Sequence, residues 1–189
     1  MHDQGLYYNL HLISQGLNGR PWFQIAGSTF SIRGNATMKD AYGHDICGYR
    51  RKLLSKHAKS YITIEGPSGT MVVATVQKQF NFSPQEFQAD IYIHNPPMSI
   101  DDVTTSGLPV SIHVVGDKLS KKYDFMIGNL DTNPYKIAQA AQQFQTFPIL
   151  GPNVLIGSNV DSAFMCICAY AIYNLFSNDK KGSFSHPNI

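Results

Sequence analysis

The longest apolar stretch of the chain lies near its C-terminal end, where every position from 163 to 173 is apolar or aromatic. No glycine or proline interrupts it, and Asn159 or Asp161 supplies a helix-capping side chain in front of it. A helix that is apolar on all sides lies either in a membrane or inside a protein core. Because this stretch of roughly 16 residues falls short of the ~20 that a membrane span needs, we predict a helix enclosed by protein. Its most buried side chains are expected to be Phe164, Ile167, Tyr170, Ala171 and Leu175.

Short segments that alternate between apolar and polar positions precede this helix, and such segments are typical of β-strands bounded by turn residues. The predicted strands cover residues 22–25, 29–33, 46–50, 61–65, 71–80, 87–93, 110–114 and 123–127, with weaker candidates at 135–141 and 153–156. Strands that recur every ~8–12 residues predict an antiparallel sandwich or barrel. The composition of residues 95–109, which include Pro96 and Pro97, predicts a loop.

The chain of 189 residues is long enough for one domain with a sizeable core. Apolar residues make up 43% and charged residues 15%, which excludes disorder for most of the chain. We therefore expect a single domain over residues 1–189, with its core at about 6–176 and a flexible tail at 177–189. The formal net charge of +2 is too small to predict nucleic-acid binding, although it permits a local basic patch.

The cysteines and the termini bear on the compartment. Three cysteines do not make a disulfide framework, and Cys166 and Cys168 lie on opposite sides of the predicted helix. Free, buried cysteines fit a reducing compartment. The N-terminal residues lack the basic and apolar regions of a secretory signal. We expect a cytoplasmic protein without a transmembrane segment, able to associate peripherally with membranes.

Two groups of basic residues are the best functional candidates. They consist of Arg50, Arg51, Lys52, Lys56 and Lys59, with His57 beside them, and of Lys118, Lys121 and Lys122. On a strand, Arg50 and Lys52 share one face while Arg51 points to the other. The alternative interpretation is a solvated strand whose charges prevent edge-to-edge aggregation.

Other motifs give little support for catalysis or for a bound cofactor. The stretch from Gly66 to Thr70 has the glycines of a phosphate loop but lacks its lysine and following helix, so a hairpin turn is predicted. The seven histidines are scattered; His94 and His113 could meet across strands, but no metal-ligand spacing is present. No nucleophile elbow or zinc-protease motif occurs either. We therefore expect no enzyme activity, no metal and no cofactor.

Four segments carry a resemblance to a known family. They are Phe30-Ser-Ile-Arg-Gly34, Tyr49-Arg-Arg-Lys-Leu-Leu-Ser55, Val73-Ala-Thr-Val-Gln-Lys-Gln-Phe80 and the segment from Leu150 to Met165 with its Asn159-Val-Asp-Ser-Ala-Phe164 entry into the helix. In these segments the chain resembles the LURP-one-related family. That family is part of the tubby-C-terminal-like superfamily, which also includes the phospholipid scramblases. The proline-rich arm and cysteine cluster of the scramblases are missing here.

The resemblance implies a tubby-like fold: mainly β, with a closed antiparallel β-barrel of about twelve strands around a central hydrophobic C-terminal α-helix. It also implies a non-enzymatic binding or tethering module. Because tubby domains bind phosphoinositides through basic side chains, it suggests that the two basic groups bind lipid head groups on an anionic membrane. The alternatives are a protein-binding scaffold or regulator in defence or stress signalling, and an apolar-ligand carrier or scramblase-like protein.

Overall fold

The protein folds mainly into β-strands, followed by one helix near the C-terminal end. The structure is a computed structural model, and it describes residues 22–27, 35–52, 58–67, 69–79, 85–117, 119–141 and 153–179. The predicted strand at 29–33 and residues 180–189 of the predicted tail lie outside the described residues, whereas residues 177–179 of that tail belong to the helix.

Ten strands form one antiparallel sheet in which each strand pairs with its neighbours in the chain. The strands are β1 (Phe23–Gly27), β2 (Ala36–Asp40), β3 (Asp45–Arg51), β4 (Lys59–Gly66), β5 (Gly69–Lys78), β6 (Glu86–Ser99), β7 (Ile112–Asp117), β8 (Lys122–Ile127), β9 (Tyr135–Ala141) and β10 (Asn153–Ile156). Nine of the ten predicted strands, including the two weaker candidates, overlap these elements. Gly66 pairs with Gly69 across the β4–β5 connection, which is the predicted hairpin turn.

The strand β6 continues to Ser99 and so includes residues 95–99, which were predicted from their composition to belong to a loop. Ser99 pairs with Met71 and Met98 with Val72, although Pro96 and Pro97 lie just before them. The prolines are tolerated because the register with β5 shifts at this point, and residues in a bulge need not donate a ladder hydrogen bond. The predicted loop is therefore shorter than expected and begins after Ser99.

The one helix among the described residues, α1 (Ser162–Asp179), follows β10 and begins as predicted. The backbone N–H of Phe164 donates to the Asp161 carboxylate at 3.0 Å, so Asp161 is the N-cap. Five consecutive residues, from Met165 to Ala169, are at most 1% exposed. Since consecutive residues point in all directions around a helix axis, protein encloses this part of α1 on every side.

The individual burial predictions for α1 are confirmed in part. Ile167, Ala171 and Leu175 are buried, whereas Phe164 and Tyr170 are only partly buried. Phe164 lies in the first turn of α1, where the residues are only partly buried. Tyr170 packs edge-on against Tyr49 of β3 with ring centroids 5.3 Å apart.

The sheet provides the rest of the core, and every strand from β1 to β9 contributes buried apolar side chains to the cluster around α1. Among the described residues, however, no pairing joins β1 to β10, so the sheet is open and has ten strands. The expected closed barrel of about twelve strands is not seen in this part of the chain. The segments that connect β1 to β2 and β9 to β10 contain residues outside the described ranges.

A second, smaller buried layer covers the opposite face of β4, β5 and β6. Tyr61, Thr75 and Tyr92 lie side by side in the register of these strands, and all three are buried although they face away from α1. Residues 100–111 return across this face, and Thr105 contacts both Lys59 and Gln77 there. This segment is thus part of the packed structure.

Candidate functional site

The order of the strands brings both basic groups to one end of the sheet. In an antiparallel meander every second connection returns to the same end. The connections β3–β4, β5–β6 and β7–β8 therefore lie together, and we call this the basic end. The described basic residues there are Arg51, Lys52, Lys59, Lys78, Lys121 and Lys122, and the described acidic residues are Glu86 and Asp117. Lys56 and Lys118, also predicted for the site, and His57 lie outside the described residues.

Acidic residues dominate the other end, which we call the acidic end. The connections β2–β3, β4–β5, β6–β7 and β8–β9 and the start of α1 meet there, bringing Asp40, Asp45, Glu65, Asp101, Asp102, Asp131 and Asp161. The lysines near this end are paired: Lys39 lies 2.8 Å from Asp45, and Lys136 lies 3.1 Å from Asp124 of β8. The net charge of +2 therefore hides a separation of charge along the strands.

Arg50 starts near the basic end but points away from it. Its guanidinium donates to the Thr70 hydroxyl at 3.1 Å and lies 3.8 Å from the Glu65 carboxylate. Glu65 belongs to the acidic end, so the charge of Arg50 is directed along the outer face of the sheet. Although sequence reasoning grouped Arg50 with Lys52, the two side chains do not present their charges together.

Arg51 lies on the inner side of β3, as the alternation along the strand predicts. It is partly buried and stands two residues after Tyr49, which is 1% exposed and faces α1. Burial raises the pKa of the Tyr49 phenol to about 12, and the nearby Arg51 charge opposes that rise. The cation of Arg51 thus faces the inside of the sheet at its basic end.

Lys52 and Lys59 form one half of the basic surface. The backbone N–H of Lys52 donates to the Lys59 carbonyl at 2.9 Å, which holds the two residues across from each other. The Lys59 ammonium donates to the Thr105 hydroxyl at 3.0 Å. Partial burial, and secondly the neighbouring Lys52 charge, lower the pKa of Lys59. Lys52 is the exposed member of the pair, whereas Lys59 also helps to hold residues 100–111 against the sheet.

The β7–β8 turn carries the other half of the basic surface. The Asp117 carboxylate accepts hydrogen bonds from the backbone N–H groups of Leu119 and Ser120, both at 2.7 Å. These bonds, that of Ser120 first, lower the pKa of Asp117. Lys122 is exposed and pairs with Asp117 across the hairpin. The turn is therefore fixed by its own hydrogen bonds.

The two halves lie four strands apart, about 19 Å along the sheet at ~4.8 Å per strand. Lys78, at the end of β5, lies between them. It was not among the predicted site residues, although its segment contributed to the family resemblance. Counting basic residues at the ends of alternate strands would have found it.

The two histidines that could have met across strands, His94 and His113, have separate partners. His94 is 4% exposed, and its Nε2 lies 2.8 Å from the Thr75 hydroxyl. Burial lowers the pKa of His94. His113 Nδ1 lies 2.9 Å from the Asp90 carboxylate, which also accepts a hydrogen bond from Gln79. Within the described part of the chain, no three metal-binding side chains cluster together.

The model of the LURP-one-related family matches residues 13–173. The chain therefore belongs to the LURP-one-related family, as its motifs predicted. No curated protein and no solved structure matches it. Among the residues that the structure describes, no helix is long and apolar enough to cross a membrane.

Proposed function

We propose that this protein is a non-enzymatic binding module that docks on anionic membranes through its basic end, with phosphoinositide head groups as its preferred ligands. The observation that carries the proposal is the separation of charge, with basic connections at one end of the sheet and acidic connections at the other. A protein with a small net charge can bind an anionic surface strongly only if its basic residues face that surface together. Its compartment would be the cytoplasm, whose membrane surfaces carry anionic lipids.

The proposed docking surface differs from the set of residues predicted from the sequence. Lys52 and Lys122 are its exposed members, and Lys59, Lys78 and Lys121 lie beside them. Arg50 is left out because its guanidinium is engaged with Thr70 and Glu65. We also propose that residues outside the described ranges complete the sheet into the closed tubby-like barrel around α1.

Vesicle sedimentation tests this proposal. Binding to phosphatidylcholine vesicles that contain phosphatidylinositol bisphosphate should exceed binding to pure phosphatidylcholine vesicles, and it should weaken with salt, because exposed charges are screened over ~8 Å at physiological ionic strength. Each lysine near an anionic membrane contributes about 1 kcal/mol, so Lys52→Ala with Lys122→Ala should weaken binding about 30-fold.

A matched control separates position from net charge. Arg50→Ala with Lys136→Ala removes two positive charges as well, but both of these side chains are engaged with acidic partners away from the basic end. This control should bind within about 2-fold of the wild type. Equal weakening by both double variants, or equal binding to neutral and anionic vesicles, contradicts the proposal. If neither vesicle binds, the protein-scaffold hypothesis takes precedence.

A further inference from the structure

An exposed leucine lies at the tip of the β7–β8 turn. Leu119 is 69% exposed, and the local sequence is Lys118-Leu-Ser-Lys-Lys122. Single exposed apolar residues are common on protein surfaces and need no explanation by themselves. Among the large exposed hydrophobic residues that the structure describes, however, Leu119 alone has lysines within three positions on both sides in the sequence. It also lies at the same end of the sheet as Lys52, Lys59 and Lys78.

The hydrogen bonding of the turn suits an environment with little water. Bringing backbone N–H groups into a membrane interface is costly unless they are already bonded. Here the N–H groups of Leu119 and Ser120 both donate to Asp117. The Asp117 charge is in turn compensated by these two donors. The turn can therefore approach lipid without leaving these two donors unsatisfied.

The backbone of the turn gives a second, independent observation. Lys121 has a φ of +51°, in the left-handed region that glycine and asparagine occupy at lower cost. A lysine in this conformation is strained relative to glycine. A residue held in a sparsely populated backbone conformation motivates a hypothesis of function. A requirement for positive charge beside Leu119 accounts for the lysine.

We propose that Leu119 is a membrane anchor, which inserts among the lipid head groups while Lys121 and Lys122 contact lipid phosphates. This inference rests on the proposed docking of the basic end on anionic membranes and specifies how that docking occurs. The ligand is then a bilayer surface that offers both anionic phosphate and apolar acyl chain. A soluble inositol phosphate offers only the phosphate and would leave Leu119 in water.

Tryptophan fluorescence tests the insertion directly. The chain has one tryptophan, Trp22, so Trp22→Phe with Leu119→Trp places a single probe at the tip. On binding to vesicles with phosphatidylinositol bisphosphate, its emission should shift to the blue, brominated lipids should quench it and iodide should quench it less. The matched control is Trp22→Phe with Leu155→Trp, because Leu155 on β10 is 71% exposed. The control emission should not change.

Binding measurements complete the test. Burying a leucine side chain contributes about 1.5–3 kcal/mol, so Leu119→Ser should weaken vesicle binding by at least tenfold and leave its salt dependence unchanged. Leu155→Ser should bind like the wild type. If the wild type binds anionic vesicles but the probe at 119 stays fully accessible to iodide, or Leu119→Ser binds normally, the anchor is refuted and electrostatic docking stands. If the wild type does not bind anionic vesicles at all, both proposals are refuted.

Discussion

Replacing Ile167 by aspartate should abolish or nearly abolish folding. Ile167 is fully buried and lies in the middle of the enclosed part of α1. Losing the isoleucine side chain from a core costs about 2–5 kcal/mol. A carboxyl group buried without a hydrogen-bond partner costs a further ~1–3 kcal/mol even when it is protonated, and more when it is ionised. The total of roughly 3–8 kcal/mol compares with a typical stability of 5–15 kcal/mol.

Thermal unfolding followed by circular dichroism measures this effect. A domain of this size loses about 2–4 °C in melting temperature per kcal/mol, so Ile167→Asp should melt at least about 6 °C lower or not fold at all. Ile167→Val, which removes one methyl group, should cost only about 0.5–1.5 kcal/mol. As a control for the substitution itself, Leu155→Asp at an exposed position should change stability by less than about 1 kcal/mol. An Ile167→Asp variant that melts within a few degrees of the wild type would show that protein does not enclose α1.

Three further predictions concern stability. Gly48→Ala should destabilise the protein by about 1–3 kcal/mol in urea unfolding, because the new Cβ would lie 2.6 Å from the hydroxyl of buried Thr63. Burial lowers the pKa of His94 in the folded protein below the value of 6.5 that applies to the unfolded chain. At pH values below about 6.5 the unfolded chain therefore binds more protons than the folded protein. Stability should therefore fall as pH drops below about 6.5, and His94→Gln should flatten this slope. Burial raises the pKa of Cys47 to about 11 and that of Cys166 to about 12, against 9.0 when unfolded. Stability should thus fall as pH rises above about 9, and Cys166→Ala should reduce that fall.

The helix and most of the strands were predictable because their signals are local. A helix that is apolar on all sides and too short to span a membrane must be enclosed by protein. Its cap is local as well, because Asp161 accepts a hydrogen bond from Phe164, three residues further on. The extension of β6 beyond Pro97 was not predictable in this way. Two prolines ordinarily end a strand, and here a register shift against β5 accommodates them. That shift is a property of strand pairing, which the sequence of β6 alone does not contain.

The candidate site was predictable as a set of residue types but not as a geometry. The sequence grouped Arg50 with Lys52 because they share one face of a strand. Whether their charges act together depends on residues from the next two strands, Glu65 and Thr70, which draw the Arg50 guanidinium away. Conversely, Lys78 joins the basic end only through the order of the strands.

The separation of charge follows from the order of the strands. In a meander, consecutive connections fall at opposite ends of the sheet; β3–β4 and β7–β8 at one end carry an excess of basic residues, and β2–β3, β4–β5, β6–β7 and β8–β9 at the other end carry or border aspartate or glutamate. The N-terminus of α1 fits the arrangement. The helix begins at the acidic end, where the Asp161 carboxylate is favourable beside the positive partial charge of the helix N-terminus. The dipole of α1 would account only for charges near the helix termini. The basic residues are spread more widely, from the end of β3 to the start of β8.

If this arrangement orients the protein on a membrane, charges at the acidic end should matter little for binding. An eight-residue strand such as β4 spans about 25 Å, several times the ~8 Å screening length. Asp45→Asn with Asp131→Asn raises the net charge by as much as the lysine variants lower it, yet we expect less than a 2-fold change in binding to anionic vesicles. The same change in net charge at Lys52 and Lys122 should alter binding about 30-fold. If the two pairs change affinity by similar factors in opposite directions, net charge alone governs binding and the protein has no preferred orientation on the membrane.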